Sequence, residues 1–241
     1  MRTHRLSLAL FIALAAGCVS NPSSALAPSA GPTPSEVDAK AARQKVIAAI
    51  QRRGGTVGVE LGDPAWPVVN VDLHGFRDVG AVLDALGSLA RVRALNLYNT
   101  AFTDADMERL RASAELERLN LSSTRITDVG LARIQTLSSL RELYLNDTRI
   151  TDAGLYALRD LPRLQTLSLY HTWVTDAGLP NLQSLKNLER LTLEGGQITD
   201  RGLESLRSLS KLRKLELFYT HVTAAGVQKL QRALPALQIL R

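Results

Sequence analysis

The chain has 241 residues, 45% hydrophobic and 22% charged, with aromatics at only 5%. Such a composition excludes wholesale disorder and favours a core of stacked aliphatic elements over one built on large rings. The formal charge of +6 comes without a basic stripe carrying interleaved aromatics, so no nucleic-acid partner is expected.

Residues 1–17 read MRTHRLSLALFIALAAG, with Arg2 and Arg5 ahead of an apolar run from Leu6 to Ala16, the layout of a secretory signal peptide. About 11 helical residues at ~1.5 Å each reach roughly half of a ~30 Å hydrocarbon core, too little to span it. The single cysteine, Cys18, follows Ala15-Ala16-Gly17. This resembles the bacterial lipoprotein lipobox, whose cysteine is acylated and becomes the first mature residue. Here the usual leucine is displaced to Leu14. Ordinary signal cleavage, beside Gly17 or after Ala27, is the alternative. One cysteine forms no internal disulfide. Without Arg2 and Arg5, 27 basic residues face 23 acidic ones, and Glu36 to Arg53 holds five of the basic and two of the acidic.

Residues 18–35, the lipidated Cys18 and its sequel, are rich in Pro, Ser and Ala and read as a flexible tether. Residues 36–67 read as an N-terminal capping helix and strand. Ser35 is the expected helix cap with Asp38 at the capping-box position, Gly54-Gly55 ends the helix, and Val37, Ala41, Ile47 and Ile50 supply its buried side. Thr56 to Leu61 and Val68 to Leu73 read as strands around the turn-rich Gly62-Asp63-Pro64.

From residue 68 to 241 a period of 24 governs: Val68, Val92, Leu116, Leu140, Leu164, Leu188 and Leu212 open successive units. The unit is complete at Leu140, Leu143, Leu145, Thr148, Ile150, Thr151, Asp152, Gly154, Leu155, Leu158 and Leu161. The one opened by Val68 is degenerate, and the last is one residue longer, so that Leu237 and Leu240 open a final strand. Leu143 and Leu145 alternate as on a strand, whereas Leu155, Leu158 and Leu161 fall on one helical face. Thr151 stands where an N-cap hydroxyl accepts from free amides, and Asp152 meets the positive end of the helix dipole. Gly154 allows close packing of neighbouring coils.

The pattern L-x-x-L-x-L-x-x-T-x-I-T-D-x-G-L-x-x-L-x-x-L resembles the leucine-rich repeat family, in the variant found in F-box-type and bacterial secreted repeat proteins. The resemblance implies an α/β solenoid, a right-handed horseshoe arc with a parallel sheet on the concave face and short helices on the convex face. Threonine stands where many such repeats carry asparagine, so a hydroxyl ladder is expected in place of the buried amide ladder. Stacked coils share faces that a lone unit cannot bury, so the ends need covers, and the helix and strand before Val68 supply one. Leu240 and Arg241 stop without an evident cap, which predicts fraying or a partner contact there.

Asp104, Asp128, Asp152, Asp176 and Asp200 would stack about 5 Å apart, the inter-strand spacing. A metal ladder competes with the corner-capping reading, but no second carboxylate accompanies each aspartate and Ala224 replaces the last. No metal and no cofactor are expected.

Between the inward leucines, four columns are expected to be exposed on the concave sheet. The first runs through Ala94, Arg118, Glu142, Thr166, Arg190 and Lys214; the second through Asn96, Asn120, Tyr144, Ser168, Thr192 and Glu216. The third holds Tyr98, Ser122, Asn146, Tyr170, Glu194 and Phe218, and the fourth Asn99, Ser123, Asp147, His171, Gly195 and Tyr219. Trp173 and His221 lie at the rim, and His171 is placed to meet Asp147 of the adjacent coil. The candidate protein-binding residues are Tyr98, Arg118, Glu142, Tyr144, Tyr170, His171, Arg190, Lys214, Phe218 and Tyr219, because binding hot spots favour aromatics and arginine on a rigid surface. Exposed aromatics also simply favour strands. No nucleophile elbow, phosphate loop or metal-ligand spacing is present, so neither catalysis nor a small-molecule substrate is implied. The expectation is a lipid-anchored envelope module that binds a protein on its concave sheet. A structural or self-associating envelope component is the second reading. An F-box-like substrate receptor is the more distant one, since no F-box-like helical segment precedes the repeats.

Overall fold

The computed structural model describes residues 34–60, 68–89, 91–193 and 197–241. The signal peptide, Cys18, almost all of the tether, and Glu194 and Gly195 of the expected columns lie outside these ranges.

Helix α1, Pro34–Arg52, is followed by strands β1, Thr56–Glu60, and β2, Val68–Asp72. The helix starts at Pro34, so Ser35 lies inside its first turn and is not the residue before it. A proline suits this first turn because its missing N–H has no intrahelical partner there anyway. At the other end Gly54 takes φ 89°, its N–H bonds to the Gln51 carbonyl, and the Gly55 N–H bonds to that of Ile50. This is the glycine-terminated stop that the Gly54-Gly55 pair implied. Ile50 is fully buried and Val46 and Ile47 are packed against the core, but Ala41 is exposed. Only the C-terminal half of α1 lies on the first coil, against β1 and helix α2, Gly80–Ala85.

The described sheet has nine strands in sequence order. β1 pairs antiparallel with β2, and every later pairing is parallel. The others are β3, Arg91–Asn96; β4, Arg118–Asn120; β5, Glu142–Tyr144; β6, Thr166–Ser168; β7, Arg190–Thr192; β8, Lys214–Glu216; and β9, Gln238–Leu240. From β3 to β9 each residue faces the one 24 positions on, as with Leu119 and Leu143. The seven aliphatic positions of the unit opened by Leu140 are all fully buried. They form one continuous core with the matching rungs of the neighbouring coils.

The convex side departs from the helical expectation. Four-residue α turns, α3 at Asp128–Leu131, α4 at Asp152–Leu155 and α5 at Asp200–Leu203, pass into 3₁₀ helix, and 104–112 and 179–184 are 3₁₀ throughout. The reason lies in the spacing. Leu155, Leu158 and Leu161 recur every three residues, which a 3₁₀ helix stacks on one face and an α-helix would rotate away. The degenerate coil carries the six-residue helix α2, and the final coil, one residue longer, forms the ten-residue helix α6 at Ala224–Ala233, with Gly226 and Leu230 buried.

The repeated ITD-x-GL corner is a joint between coils. The Thr151 hydroxyl accepts from the Ala153 N–H, as an N-cap does. The neighbouring aspartate, however, does more than face a helix dipole. Asp128 accepts the Thr151 N–H at 2.9 Å and its hydroxyl at 2.6 Å, one coil on. The same two bonds join Asp104 to Thr127, Asp152 to Thr175, Asp176 to Thr199 and Asp200 to Thr223. The glycine makes room for that carboxylate: a Cβ on Gly154 would stand against the Asp128 carboxylate well inside 3.0 Å. The joint between the first coil and the second confirms the logic by exception. Gly80 offers Thr103 no carboxylate, so Asp106, at the position where later coils have glycine, accepts both the Thr103 N–H and its hydroxyl.

The threonine column is a second correction. Thr100, Thr124, Thr148, Thr172 and Thr220 donate to the carbonyl three residues back in their own coil, at 2.5–2.8 Å. Each of these hydroxyls turns back to a carbonyl of its own coil, so it closes a turn and does not form a ladder.

Candidate functional site

Parallel pairing carries each inter-leucine position into a straight row across the strands. The first row gains Gly58 and Asn70 ahead of Ala94, and the second gains Thr56 and Asp72 ahead of Asn96. The 24-residue period applied to Val68 marks Asn70 and Asp72 as row members, a signal that the degenerate coil obscured.

Pairing continues one turn beyond the short strands. Ser123 donates its N–H to the Asn146 carbonyl and Asp147 to that of Tyr170, so the third row still belongs to the sheet. The fourth does not. Asn99, Ser123, Asp147, His171 and Tyr219 all take φ between 51° and 60°, joined by Gly75 in the degenerate coil. They form the left-handed corner at which the chain leaves the sheet, not a column on its face. Such a backbone suits Gly, Asn and Asp, and costs a bulky side chain about 1–2 kcal/mol. Burial also varies along the rows: Thr166, Ser168 and Ser122 are buried despite their expected exposure.

The candidate residues fall into separate clusters. Tyr144, half-buried on β5, donates its hydroxyl to Glu142 at 2.9 Å, and burial first, then this carboxylate, raises its pKa above the ordinary 10.0. Arg190 and Arg118, two strands after and one strand before in the first row, pull the other way. Lys214 on β8 is ion-paired with Glu216, which also accepts the Thr192 hydroxyl at 2.9 Å. These contacts, Lys214 first, hold the Glu216 carboxyl below its usual value. The Tyr170 ring stacks on that of His171 at 4.1 Å between centroids, and His171 Nδ1 lies 3.1 Å from Asp147, the inter-coil pair expected from their spacing. Phe218 and Tyr219 stand two coils further on, 37% and 82% exposed. Tyr98 is exposed three coils before Tyr170 and joins none of these clusters. At the rim, Trp173 is 68% exposed beyond a narrow second ladder in which it pairs with Thr151.

Two hollows divide the concave face, with Tyr144 as the wall between them. One, of about 430 Å³, runs from Thr56 and Gly58 to Glu142 and Tyr144; the other, about 260 Å³, lies over Thr166 and Ser168 and reaches Lys214 and Glu216. The aspartate joint is spent on Thr N–H and hydroxyl groups, and among the described residues no group of three His, Cys, Asp or Glu is placed to hold a metal ion. No described helix is long and apolar enough to cross a membrane.

Residues 114–172 match a family model described as "Leucine rich repeat", and 184–206 and 208–230 match a second model, "Leucine Rich repeat". No curated protein matches significantly in sequence. Among solved structures, internalin C2 of Listeria monocytogenes is similar at 26% identity and TM-score 0.58, over 71% of this chain and 69% of that one. An internalin, InlF, of the same species is similar at 18% identity and TM-score 0.50, over 70% of this chain and 52% of its own, a likeness of fold alone.

Proposed function

Since the chain is a leucine-rich repeat protein, we propose that it is a non-enzymatic module that binds a protein partner on its concave sheet, held in the bacterial envelope by a lipid on Cys18. The observation that carries the binding reading is the aromatic group on the C-terminal coils: Tyr170 on His171, then Phe218 and Tyr219. Tyr219 is largely in solvent at φ 60°, where a tyrosine costs stability and gains no packing. A side chain that stabilises nothing within the fold is well placed to be buried by something else. The likeness to Listeria internalins supports a bacterial surface or secreted setting. The signal layout and Cys18 support the anchor.

The test is capture of envelope proteins by the full chain against a Tyr170→Ala/Phe218→Ala variant. Both side chains lie outside the buried core, so folding is expected to survive and capture to vanish; unchanged capture rejects the reading. One observation favours self-association instead. Among the described residues nothing pairs with the outer edges of β1 and β9, and Val59 on β1 is half exposed. Sedimentation showing a concentration-dependent oligomer indifferent to the aromatic variant selects that reading.

A further inference from the structure

We propose that the hollow between Gly58 and Tyr144 is a saccharide site, a function beyond the protein-binding reading and on the strands that precede Tyr170, Phe218 and Tyr219. The first observation is space. Gly58 lies in the middle of β1, where glycine weakens a strand, yet its backbone requires no glycine: its φ is not positive, and an added Cβ would meet only the Asn70 side chain, at 3.7 and 3.9 Å. With Ala94 two strands on in the same row, it leaves the sheet open to whatever approaches.

The second observation is that the polar groups around this space are held in place with part of their bonding capacity left over. Asn96 accepts the Tyr98 N–H through Oδ1 at 3.0 Å and donates through Nδ2 to Asp72 at 3.1 Å. Asn120 accepts the Ser122 N–H at 3.0 Å through Oδ1, which turns its amide Nδ2 toward other acceptors. Glu142 takes the Tyr144 hydroxyl on Oε2, keeping Oε1 as an acceptor. Donors and acceptors therefore surround a hollow floored by the Ala94 methyl and the strand backbone at Leu95 and Leu119, whose side chains are buried beneath it, with little side-chain entropy left to lose.

A pyranose meets these demands: its C–H face lies on carbon, and each hydroxyl at its rim both donates and accepts. The rows step about 4.8 Å from strand to strand, out of phase with the ~3.4 Å rise of an extended peptide. A peptide main chain, moreover, finds its partners at a sheet edge and not on a sheet face. A phosphate or carboxylate ligand meets two carboxylates, Asp72 and Glu142, against one arginine, Arg118, at the walls.

The experiment exposes the full chain to a microarray of bacterial cell-surface glycans and titrates the retained glycan calorimetrically. Gly58→Leu fills the hollow, and Asn120→Leu removes its amide donor without adding to β1. The expected result is retention by the parent protein, with affinity at least about tenfold weaker in both variants, the size of one lost hydrogen bond. Gly58→Leu is expected to leave Tm unchanged, Asn120→Leu to lower it through the lost bond to the Ser122 N–H, and both to leave protein capture through Tyr170 and Phe218 intact. Three results overturn the proposal: no glycan retained, retention equal in parent and both variants, or a peptide occupying the hollow in place of a glycan.

Discussion

The joint between coils lends itself to a double-mutant cycle on Asp128 and Gly154. Asp128→Ala removes two bonds to Thr151, at 2.9 and 2.6 Å, and leaves a partly buried N–H without its acceptor. Hydrogen bonds to a charged group contribute about 1.5–3 kcal/mol each, and with partial exposure the lower end applies, so a loss of about 3 kcal/mol is expected. Gly154→Ala alone drives a methyl into the Asp128 carboxylate, and the remaining close atom is Ile150 Cγ2 at 3.0 Å. Its cost is expected near the 1–3 kcal/mol of an overpacked core. In the Asp128→Ala background that obstruction is gone, so the second substitution is expected to cost little, and the cycle to show a coupling of at least about 1 kcal/mol. Urea unfolding followed by circular dichroism gives all four free energies, and a fall in the slope would show the array splitting at this joint. Additivity within about 0.5 kcal/mol refutes the account of why the corner pairs aspartate with glycine.

Acid is expected to loosen the last coil first. Asp200, held low by the Thr223 hydroxyl and N–H, and Glu204, held low by Lys229 and then Arg207, both sit beside α6. Their folded pKa values lie below the unfolded ones, so their contribution is complete above the ordinary carboxylate range and is lost as pH falls through and below it. Hydrogen exchange is then expected to show α6 losing protection before the central coils; uniform loss contradicts this. Tyr219→Asn relieves the left-handed corner and is expected to raise stability by about 1 kcal/mol while weakening partner capture; a destabilised variant refutes the strain reading. Thr148→Val keeps the shape of a buried side chain but deletes its bond to the Leu145 carbonyl, and is expected to cost about 1 kcal/mol in chemical denaturation. Cys18→Ser is expected to abolish incorporation of labelled fatty acid and to release the protein from membranes.

The coil boundaries, the parallel order and the buried rungs were legible because a 24-residue period leaves one stacking solution. The corner is only half legible within one unit: there Asp152 is a helix-start charge, and its bonds to Thr175 exist only between coils packed side by side. Leucines every three residues already carried the 3₁₀ period, but three-residue and 3.6-residue spacing are hard to separate over two turns. The left-handed corner is hidden at Tyr219, a residue that disfavours it, although Gly75 occupies the same place in the degenerate coil. The hollow beside Gly58 escaped notice because it needs an antiparallel strand that lies outside the period, and no repeat pattern registers Gly58 against Asn70.

The one-way aspartate joint also bears on how such an array changes length. Each coil from the one opened by Leu116 to the one opened by Leu188 presents a carboxylate to its successor and a threonine and glycine to its predecessor, so a duplicated or deleted coil among them finds matching faces on both sides. The two ends are not interchangeable: Asp106 serves its own threonine, and Ala224 offers nothing onward. Gain or loss of a coil between Tyr144 and Phe218 would therefore leave the architecture whole while moving two contact groups apart or together by one strand width, about 4.8 Å. Ligand geometry in this scaffold is adjustable in fixed increments.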